Sequence, residues 1–248
     1  MNKIRLDQLV FEKGFAQSRE KARALIMSGC VFLDGRRADK PGQQVPPDAE
    51  PDVRIKELPF VSRGGYKLDK ALRVFPMDPE GKICIDCGAS TGGFTDVLLQ
   101  HGALKVYAVD VGYGQLAWKL RSDPRVWVRE NFNARNLASC DLPETPSRSV
   151  TDVSFISLKL ILPPMAAVTA PLGEMVSLVK PQFEAGRGLA PGGVVKDPAV
   201  REAALAGILA FGREELHLEV LGVAESPIRG KDKGNIEYLV WWRVPPHA

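Results

Sequence analysis

A glycine-rich segment between a predicted strand and a predicted helix constrains this sequence more than any other feature. The segment, DCGASTGGF at residues 86–94, follows the apolar run of residues 83–87. Glycines let the backbone turn tightly and approach a ligand closely, because they have no Cβ atom. A loop of this kind is typical of nucleotide-binding α/β folds. The ligand-binding residues predicted in this loop are Gly88, Ala89, Ser90, Gly92, Gly93 and Phe94.

An acidic residue at the end of the next predicted strand narrows the choice of ligand. Asp110 lies 22 residues after Gly88, where a carboxylate can accept both ribose hydroxyls of an adenosine group. The loop lacks the dinucleotide spacing G-x-G-x-x-G, since Ser90 stands at the second glycine position, and it has no P-loop lysine. Together these features favour S-adenosylmethionine as the cofactor. After the third predicted strand, Asn133 either hydrogen-bonds the adenine edge or belongs to a solvated loop, and the residues leave both open.

Apolar strands alternate with helical patterns from residue 67 to residue 248. This alternation predicts an α/β domain with a Rossmann-like, doubly wound parallel sheet. A short loop joins the last two strands, which predicts an antiparallel hairpin at the sheet edge. The predicted strands span residues 83–87, 105–109, 126–129, 149–153, 174–179, 216–224 and 238–243, and the clearest helices span 95–101 and 198–213.

Residues 1–57 predict a separate, small α+β domain, followed by a linker at 58–66. Two helical patterns end near Gly14 and Gly29, and Ser18 is a good N-cap for the second. Asp34-Gly35 predicts a hairpin turn, residues 39–52 predict a loop, and residues 53–56 predict a third strand. Residues 1–40 carry nine Lys and Arg against five Asp and Glu. This basic bias fits a polyanionic partner.

Other features exclude several classes of protein. The four cysteines and three scattered histidines predict free thiols in a reducing compartment and no metal site. The N-terminus has no apolar signal-peptide core, and charged residues and prolines interrupt the most apolar stretch, residues 156–179. We therefore expect a cytoplasmic protein without a membrane span.

Four charged residues stand where predicted elements meet the ligand side of the sheet. Lys67 begins a predicted helix, Asp152 and Lys180 end predicted strands, and Glu237 begins the last strand. In open α/β sheets the ligand lies beyond the carboxyl ends of the strands. Charged residues at strand ends are more often solvated than catalytic, so position alone leaves their role open.

The segments around these four residues are VSRGGYKL (61–68), DVSFISL (152–158), VKPQFE (179–184) and GNIEY (234–238). In combination they closely resemble the TlyA (hemolysin A) family, and the similarity spans essentially the whole chain. The resemblance implies an FtsJ-like methyltransferase domain that uses S-adenosylmethionine to methylate ribose 2′-oxygens of ribosomal RNA. It also implies that Lys67, Asp152, Lys180 and Glu237 form a catalytic Lys-Asp-Lys-Glu tetrad. Lys180 would act on the hydroxyl, and Asp152 would also lie beside the cofactor sulfonium.

The N-terminal zone resembles the alpha-L RNA-binding fold first seen in a ribosomal small-subunit protein. The expected partner is ribosomal RNA or a ribosomal subunit, and no protein partner is implied. The expected RNA-binding residues are Arg5, Arg19, Arg23, Arg36 and Arg37.

The chain departs from the family pattern in its linker, and its short end bears on substrate choice. ELPF at residues 57–60 stands where the family often has an Arg-x-x-Trp-like linker, and the chain ends soon after residues 240–243. The short end resembles members that act on large-subunit RNA, so 23S RNA is the favoured substrate and 16S RNA the alternative. The charged loop at residues 231–233 is predicted to be a solvated turn. The competing functions are a non-catalytic RNA-binding assembly factor and a membrane-active hemolysin.

Overall fold

The computed structural model describes residues 3–54, 59–186, 188–230 and 234–246 and contains two compact units. The smaller unit covers Met1–Leu58 and the larger covers Pro59–Ala248. Most of the predicted linker, residues 58–66, therefore falls in the larger unit, where Phe60 is buried. The predicted solvated turn at 231–233 lies outside the described residues.

In the part of the smaller unit that the structure describes, two helices and five short strands surround one apolar core. Ser18 Oγ accepts a hydrogen bond from the Lys21 backbone N–H, so the second helix begins at the predicted cap. Asp34 and Gly35 both have positive φ and form the predicted hairpin turn between β2 and β3. The elements are β1 Ile4–Arg5, α1 Leu6–Glu12, α2 Arg19–Met27, β2 Val31–Leu33, β3 Arg36–Arg37, β4 Gln44–Val45 and β5 Asp52–Val53.

The prediction of an unbroken loop at residues 39–52 was wrong, because β4 pairs antiparallel with β1 inside that range. A strand of two residues has no measurable period, so no hydrophobic pattern could have revealed it. The predicted strand at 53–56 is observed only in part, as β5 at Asp52–Val53, which pairs with β2; Arg54 is outside the strand, and residues 55 and 56 lie outside the described residues.

Among the described residues of the larger unit, the strands β6 (Ile83–Cys87), β7 (Lys105–Val109), β8 (Val126–Arg129), β9 (Arg148–Thr151), β10 (Glu174–Val179), β11 (Glu219–Glu225) and β12 (Tyr238–Arg243) form one mixed sheet. Their order in the sheet is β11-β12-β10-β9-β6-β7-β8. The run from β10 to β8 is parallel, and β12 is antiparallel to both β10 and β11. The predicted parallel sheet and terminal hairpin are thus confirmed, and only β11 of that hairpin lies at the edge.

Helices cover both faces of this sheet, as a doubly wound fold requires. Leu68 and Leu98 belong to the apolar core on one face, and Met165 and Ile208 belong to the core on the other. No helix in the described part of the chain is long and apolar enough to cross a membrane. The helices are α3 Gly65–Val74, α4 Gly93–Gln100, α5 Trp118–Arg121, α6 Leu162–Val168, α7 Pro181–Glu184 and α8 Pro198–Glu214.

The order in which successive strands are added to the sheet reverses at β6. β7 lies on one side of β6 and β9 on the other, so the connections after β6 and β9 diverge and leave a crevice at their carboxyl ends. This topology puts the glycine loop, which follows β6, next to the residue that follows β9.

Candidate active site

The glycine loop joins β6 to α4 and is held by backbone conformations that suit glycine. Gly88 has φ +87° and Gly92 has φ +97°. A Cβ at Gly88 would lie 3.0 Å from the carbonyl oxygen of Asp152, so the loop touches the backbone after β9. Both carboxylate oxygens of Asp110 accept backbone N–H groups, from Ser90 at 2.8 Å and from Gly112 at 2.6 Å. Asp110 therefore fixes the loop at the place where a ligand is expected.

Glycines also bring α3 and α4 together beside this loop. A Cβ at Gly93 would lie 2.8 Å from the backbone nitrogen of Gly65 and would collide with Ser62 Oγ. The sequence suggested a role for Gly93 at the ligand, and the structure adds a role in this close approach of two helices. Because α3 carries Lys67, the approach also sets the position of that lysine.

Gly93→Ala is expected to displace α3 and to destabilise the larger unit by about 1–3 kcal/mol, because inserting a methyl group into a packed contact strains it. The measurement is the midpoint of chemical unfolding. Gly207→Ala is the matched control, since no atom lies within 4 Å of a Cβ at that helical position. An equal shift of the unfolding midpoint in both variants would contradict the proposed importance of this helix contact.

A cleft of about 570 Å³ opens at the carboxyl ends of β6, β9 and β10. Its size falls within the range of about 300–1,000 Å³ typical of small-molecule sites. Among the predicted cofactor-binding residues, the cleft is lined by Gly88, Ala89, Ser90, Gly93, Phe94 and Asp152. Gly92, Asp110 and Asn133 are outside that lining, and the Asn133 side chain accepts a hydrogen bond from the Arg135 N–H to cap a short 3-10 helix.

Lys67, Asp152, Lys180 and Glu237 meet at the floor of this cleft. Lys67 Nζ lies 2.8 Å from Glu237 Oε2 and 3.1 Å from Asp152 Oδ2. Lys180 Nζ lies 2.5 Å from Asp152 Oδ1. The four side chains form one chain of contacts, Glu237–Lys67–Asp152–Lys180, and all are at most 18% exposed.

The sheet explains why these distant residues meet. Asp152 follows β9 and Lys180 follows β10, which are parallel neighbours. β12 is antiparallel to β10 with Tyr238 opposite Val179, so Glu237 lies beside Lys180 in the register. Lys67 reaches the same point from the first turn of α3.

The charges within this cluster compensate one another. Burial disfavours the charged form of Lys67, but the carboxylates of Asp152 and Glu237 outweigh it and raise the pKa of Lys67. Burial likewise disfavours the ionised form of Asp152, but Lys180 and Lys67 outweigh it and lower the pKa of that carboxyl. Two ammonium groups and two carboxylates can therefore remain charged in a nearly buried site.

The structure adds two neighbours of Lys180 that sequence patterns did not identify. Lys180 Nζ donates a hydrogen bond to Ser154 Oγ at 2.7 Å. Phe155 lines the cleft with its side chain 88% exposed and has φ +63°, and its ring centroid lies 5.3 Å from that of Phe183. The exposed ring is unusual for a phenylalanine, and only the fold shows that it stands beside the lysine.

The cleft suits S-adenosylmethionine by size and by charge. Its glycine-loop wall allows close backbone approach, and Asp152 offers a carboxylate to a sulfonium cation. The residues present therefore fit this cofactor.

The five candidate RNA-binding arginines have different surroundings in the smaller unit. Asp7 is fully buried and pairs with Arg5 at 2.7 Å and with Arg19 at 3.2 Å. Hydrogen bonding from Arg5 lowers the pKa of Asp7, burial opposes this, and Arg19 lowers it further. Arg5 and Arg19 thus pair with a buried carboxylate while their own side chains stay partly exposed, and Arg23, Arg36 and Arg37 are exposed.

Comparison with known proteins assigns both units. A family model described as FtsJ-like methyltransferase matches residues 60–244, and one described as the S4 domain matches residues 4–50. YqxC of Bacillus subtilis, described as a candidate rRNA methyltransferase, is 48% identical over 98% of this chain and 86% of that protein. A Mycobacterium tuberculosis protein named 16S/23S rRNA (cytidine-2′-O)-methyltransferase TlyA is 45% identical over 98% of this chain and 90% of its own.

A solved structure from Streptococcus thermophilus, described as a candidate hemolysin, has 46% sequence identity and a TM-score of 0.77. The match covers 99% of this chain and 90% of that one. The chain therefore belongs to the TlyA (hemolysin A) family and combines an S4 domain with an FtsJ-like methyltransferase domain that uses S-adenosylmethionine.

Proposed function

We propose that this methyltransferase modifies ribose 2′-hydroxyl groups of ribosomal RNA. The observation that carries the proposal is the contact chain Glu237–Lys67–Asp152–Lys180 in the cleft beside the glycine loop. A ribose hydroxyl is a poor nucleophile until its oxygen gains negative charge, and a positioned ammonium group favours that charge. The name of the Mycobacterium relative, a ribosomal RNA 2′-O-methyltransferase, supports the same reaction.

Lys180 is the group that we propose acts on the hydroxyl. Its ammonium is oriented by Asp152 and by Ser154, which leaves a third N–H for the 2′-oxygen. That hydrogen bond would stabilise the negative charge that develops on the oxygen as its proton passes to solvent water in the cleft. Bound S-adenosylmethionine supplies an electrophilic methyl group on a positively charged sulfur.

The other tetrad members position this group and balance its charge. Asp152 bridges the two lysines and lines the cleft, so its negative charge would lie near a bound sulfonium. Lys67 is held between Asp152 and Glu237, so it fixes the orientation of Asp152. Because the reacting groups are held in place, much of the rate enhancement would come from orientation.

The RNA side of the proposal rests on the S4 domain and on the rim of the cleft. The exposed ring of Phe155 can stack on an unpaired base, which is how single-stranded RNA is commonly held. Ribosomal RNA or a ribosomal subunit is the proposed partner, and an enzyme acting on it would work in the cytoplasm. Large-subunit RNA is the predicted substrate, and the Mycobacterium relative carries both 16S and 23S in its name, so both subunits need comparison.

The test is transfer of labelled methyl groups from S-adenosylmethionine to isolated small and large ribosomal subunits taken from cells that lack the gene. The expected product is a 2′-O-methylated nucleotide, identified by mass spectrometry after nuclease digestion. A non-catalytic assembly factor would bind the subunits and transfer no label. Leakage of liposomes at low protein concentration, with no methyl transfer, would instead support a membrane-active hemolysin.

The exposed arginines give a separate test of RNA binding. Arg23→Ala combined with Arg36→Ala is expected to weaken binding and to reduce the slope of log K against log salt by about 2, one for each lost phosphate contact. Both side chains are exposed. Arg19→Ala is a poorer probe, because it also removes a partner of buried Asp7. An unchanged slope in the double variant would show that other residues contact the phosphates.

A further inference from the structure

Glu184, at the end of α7, links the two loops that carry the proposed catalytic groups. Its Oε2 accepts the Ser157 hydroxyl at 2.6 Å, and its Oε1 accepts the Leu158 backbone N–H at 2.8 Å. Ser157 ends the loop after β9 and caps the 3-10 helix that begins at Leu158, and Glu184 lies just after β10 and Lys180. One carboxylate therefore uses both oxygens to hold the first loop against the second.

The held loop contains a backbone conformation that is unfavourable for a residue with a side chain. Phe155 sits at φ +63°, which costs a non-glycine residue about 1–3 kcal/mol unless its surroundings maintain it. Ser154, next to it, is the hydroxyl that accepts from Lys180 Nζ. The Phe155 and Phe183 rings are in contact, but a tilted ring pair does not fix a backbone dihedral. The Glu184 contacts restrain the backbone a few residues further on.

We infer that Glu184 is a positioning residue, whose carboxylate holds residues 154–158 so that Ser154 orients Lys180 for methyl transfer. This inference rests on the function proposed for Lys180. Glu184 has no contact with the tetrad itself among the hydrogen bonds and ion pairs of the described residues. Its effect would therefore pass through Ser154 to the ammonium, and leave the glycine-loop side of the cleft unchanged.

The test compares Glu184→Ala with Glu184→Gln in the full-length protein. Glu184→Ala is expected to lower kcat about 10- to 100-fold, the scale seen when a reacting group is misplaced by about 1 Å. The affinity for S-adenosylmethionine, measured by calorimetry, should stay within about twofold, because the glycine loop is untouched. Glutamine can still accept the Leu158 N–H and can donate to Ser157 Oγ, so Glu184→Gln should keep most of the activity.

The matched control is Glu214→Ala, which removes an exposed glutamate from the end of α8 and should leave kcat unchanged. If Glu184→Ala does not fold, Ser157→Ala removes one of the two contacts and should give a smaller loss of kcat at unchanged cofactor affinity. A kcat within about twofold of wild type in a folded variant, or a parallel loss of kcat and cofactor affinity, would overturn the inference.

A structural readout separates this inference from the proposed function. The crystal structure of Glu184→Ala, or of Ser157→Ala in its place, should show Ser154 Oγ beyond hydrogen-bonding distance of Lys180 Nζ. That shift would support the positioning role even if the wild-type enzyme fails to methylate ribosomal subunits. If Ser154 keeps its position in the variant and the wild-type enzyme is active, the positioning role is overturned and the proposed function remains intact.

Discussion

Lys180→Ala is expected to lower the rate of methyl transfer to ribosomal subunits about 100- to 1,000-fold, the cost of removing one preorganised donor from a developing oxyanion. Cofactor affinity should change little, because the ion pair and the hydrogen bond of Lys180 are with Asp152 and Ser154, and neither residue belongs to the glycine loop. The measurement pairs single-turnover methyl transfer with calorimetric binding of S-adenosylmethionine. The two results together separate a role in the reaction from a role in binding.

Lys82→Ala is the matched control for this substitution. Lys82 is exposed just before β6, at the end of the sheet away from the cleft. It should behave as wild type in both measurements. Equal losses of transfer and of cofactor binding in Lys180→Ala would contradict the assigned role, since they would indicate a disrupted cofactor site.

Lys67→Ala is expected to destabilise the larger unit by about 3–5 kcal/mol, the cost of leaving a buried carboxylate without its partner. Glu237 is 2% exposed and Lys67 is the ammonium that it contacts. For a unit of this size that loss lowers the thermal midpoint by roughly 6–20 °C. Methyl transfer should fall as well, because Asp152 loses one of its two lysine contacts.

The double variant Lys67→Ala with Glu237→Ala separates stability from activity. Removing both charges should restore much of the stability, since no buried carboxylate is left uncompensated, while methyl transfer should remain low. Lys105→Ala is the control, because its partner Glu144 is half exposed and such surface pairs are worth only about 0–1 kcal/mol. A double variant that is as unstable as Lys67→Ala would show that the lysine stabilises the unit by packing and not by charge.

Hydrophobic patterns were sufficient to predict the sheet. All seven strands occur at the predicted places to within about three residues, because each is an apolar run bounded by polar or turn residues. The four charged residues could be placed on the ligand side for the same reason, since strand ends define that side. The tetrad itself came from the resemblance to a family.

Pairwise contacts could not be predicted, because they depend on the order and register of the strands. The contact between Lys67 and Glu237 requires β12 to run between β10 and β11 with Tyr238 opposite Val179. A short loop predicts a hairpin but does not specify which of its strands lies inside the sheet. The contacts of Glu184 with Ser157 and Leu158 have the same origin, as they join residues that follow two different strands.

Glycine and acidic residues illustrate a second limit of prediction from sequence, which concerns the role of a residue once its position is known. Gly93 and Asp110 were predicted as cofactor ligands; the structure gives Gly93 a role in the close approach of α3 and α4 and Asp110 a role in holding the loop. A pattern of residue types identifies where the backbone is constrained. It does not show whether that constraint is needed for ligand binding, for a contact between helices or for both.

The most direct test of the proposed reaction is a map of ribose methylation on ribosomal RNA from cells without the gene, complemented with wild-type protein or with Lys180→Ala at equal expression. Reverse transcription at limiting nucleotide, checked by mass spectrometry, locates each 2′-O-methyl group in both subunits. The account predicts that specific sites are lost without the gene, return with wild-type protein and stay absent with Lys180→Ala. Identical maps in the parent strain, the strain without the gene and the two complemented strains, or full restoration by Lys180→Ala, would contradict it.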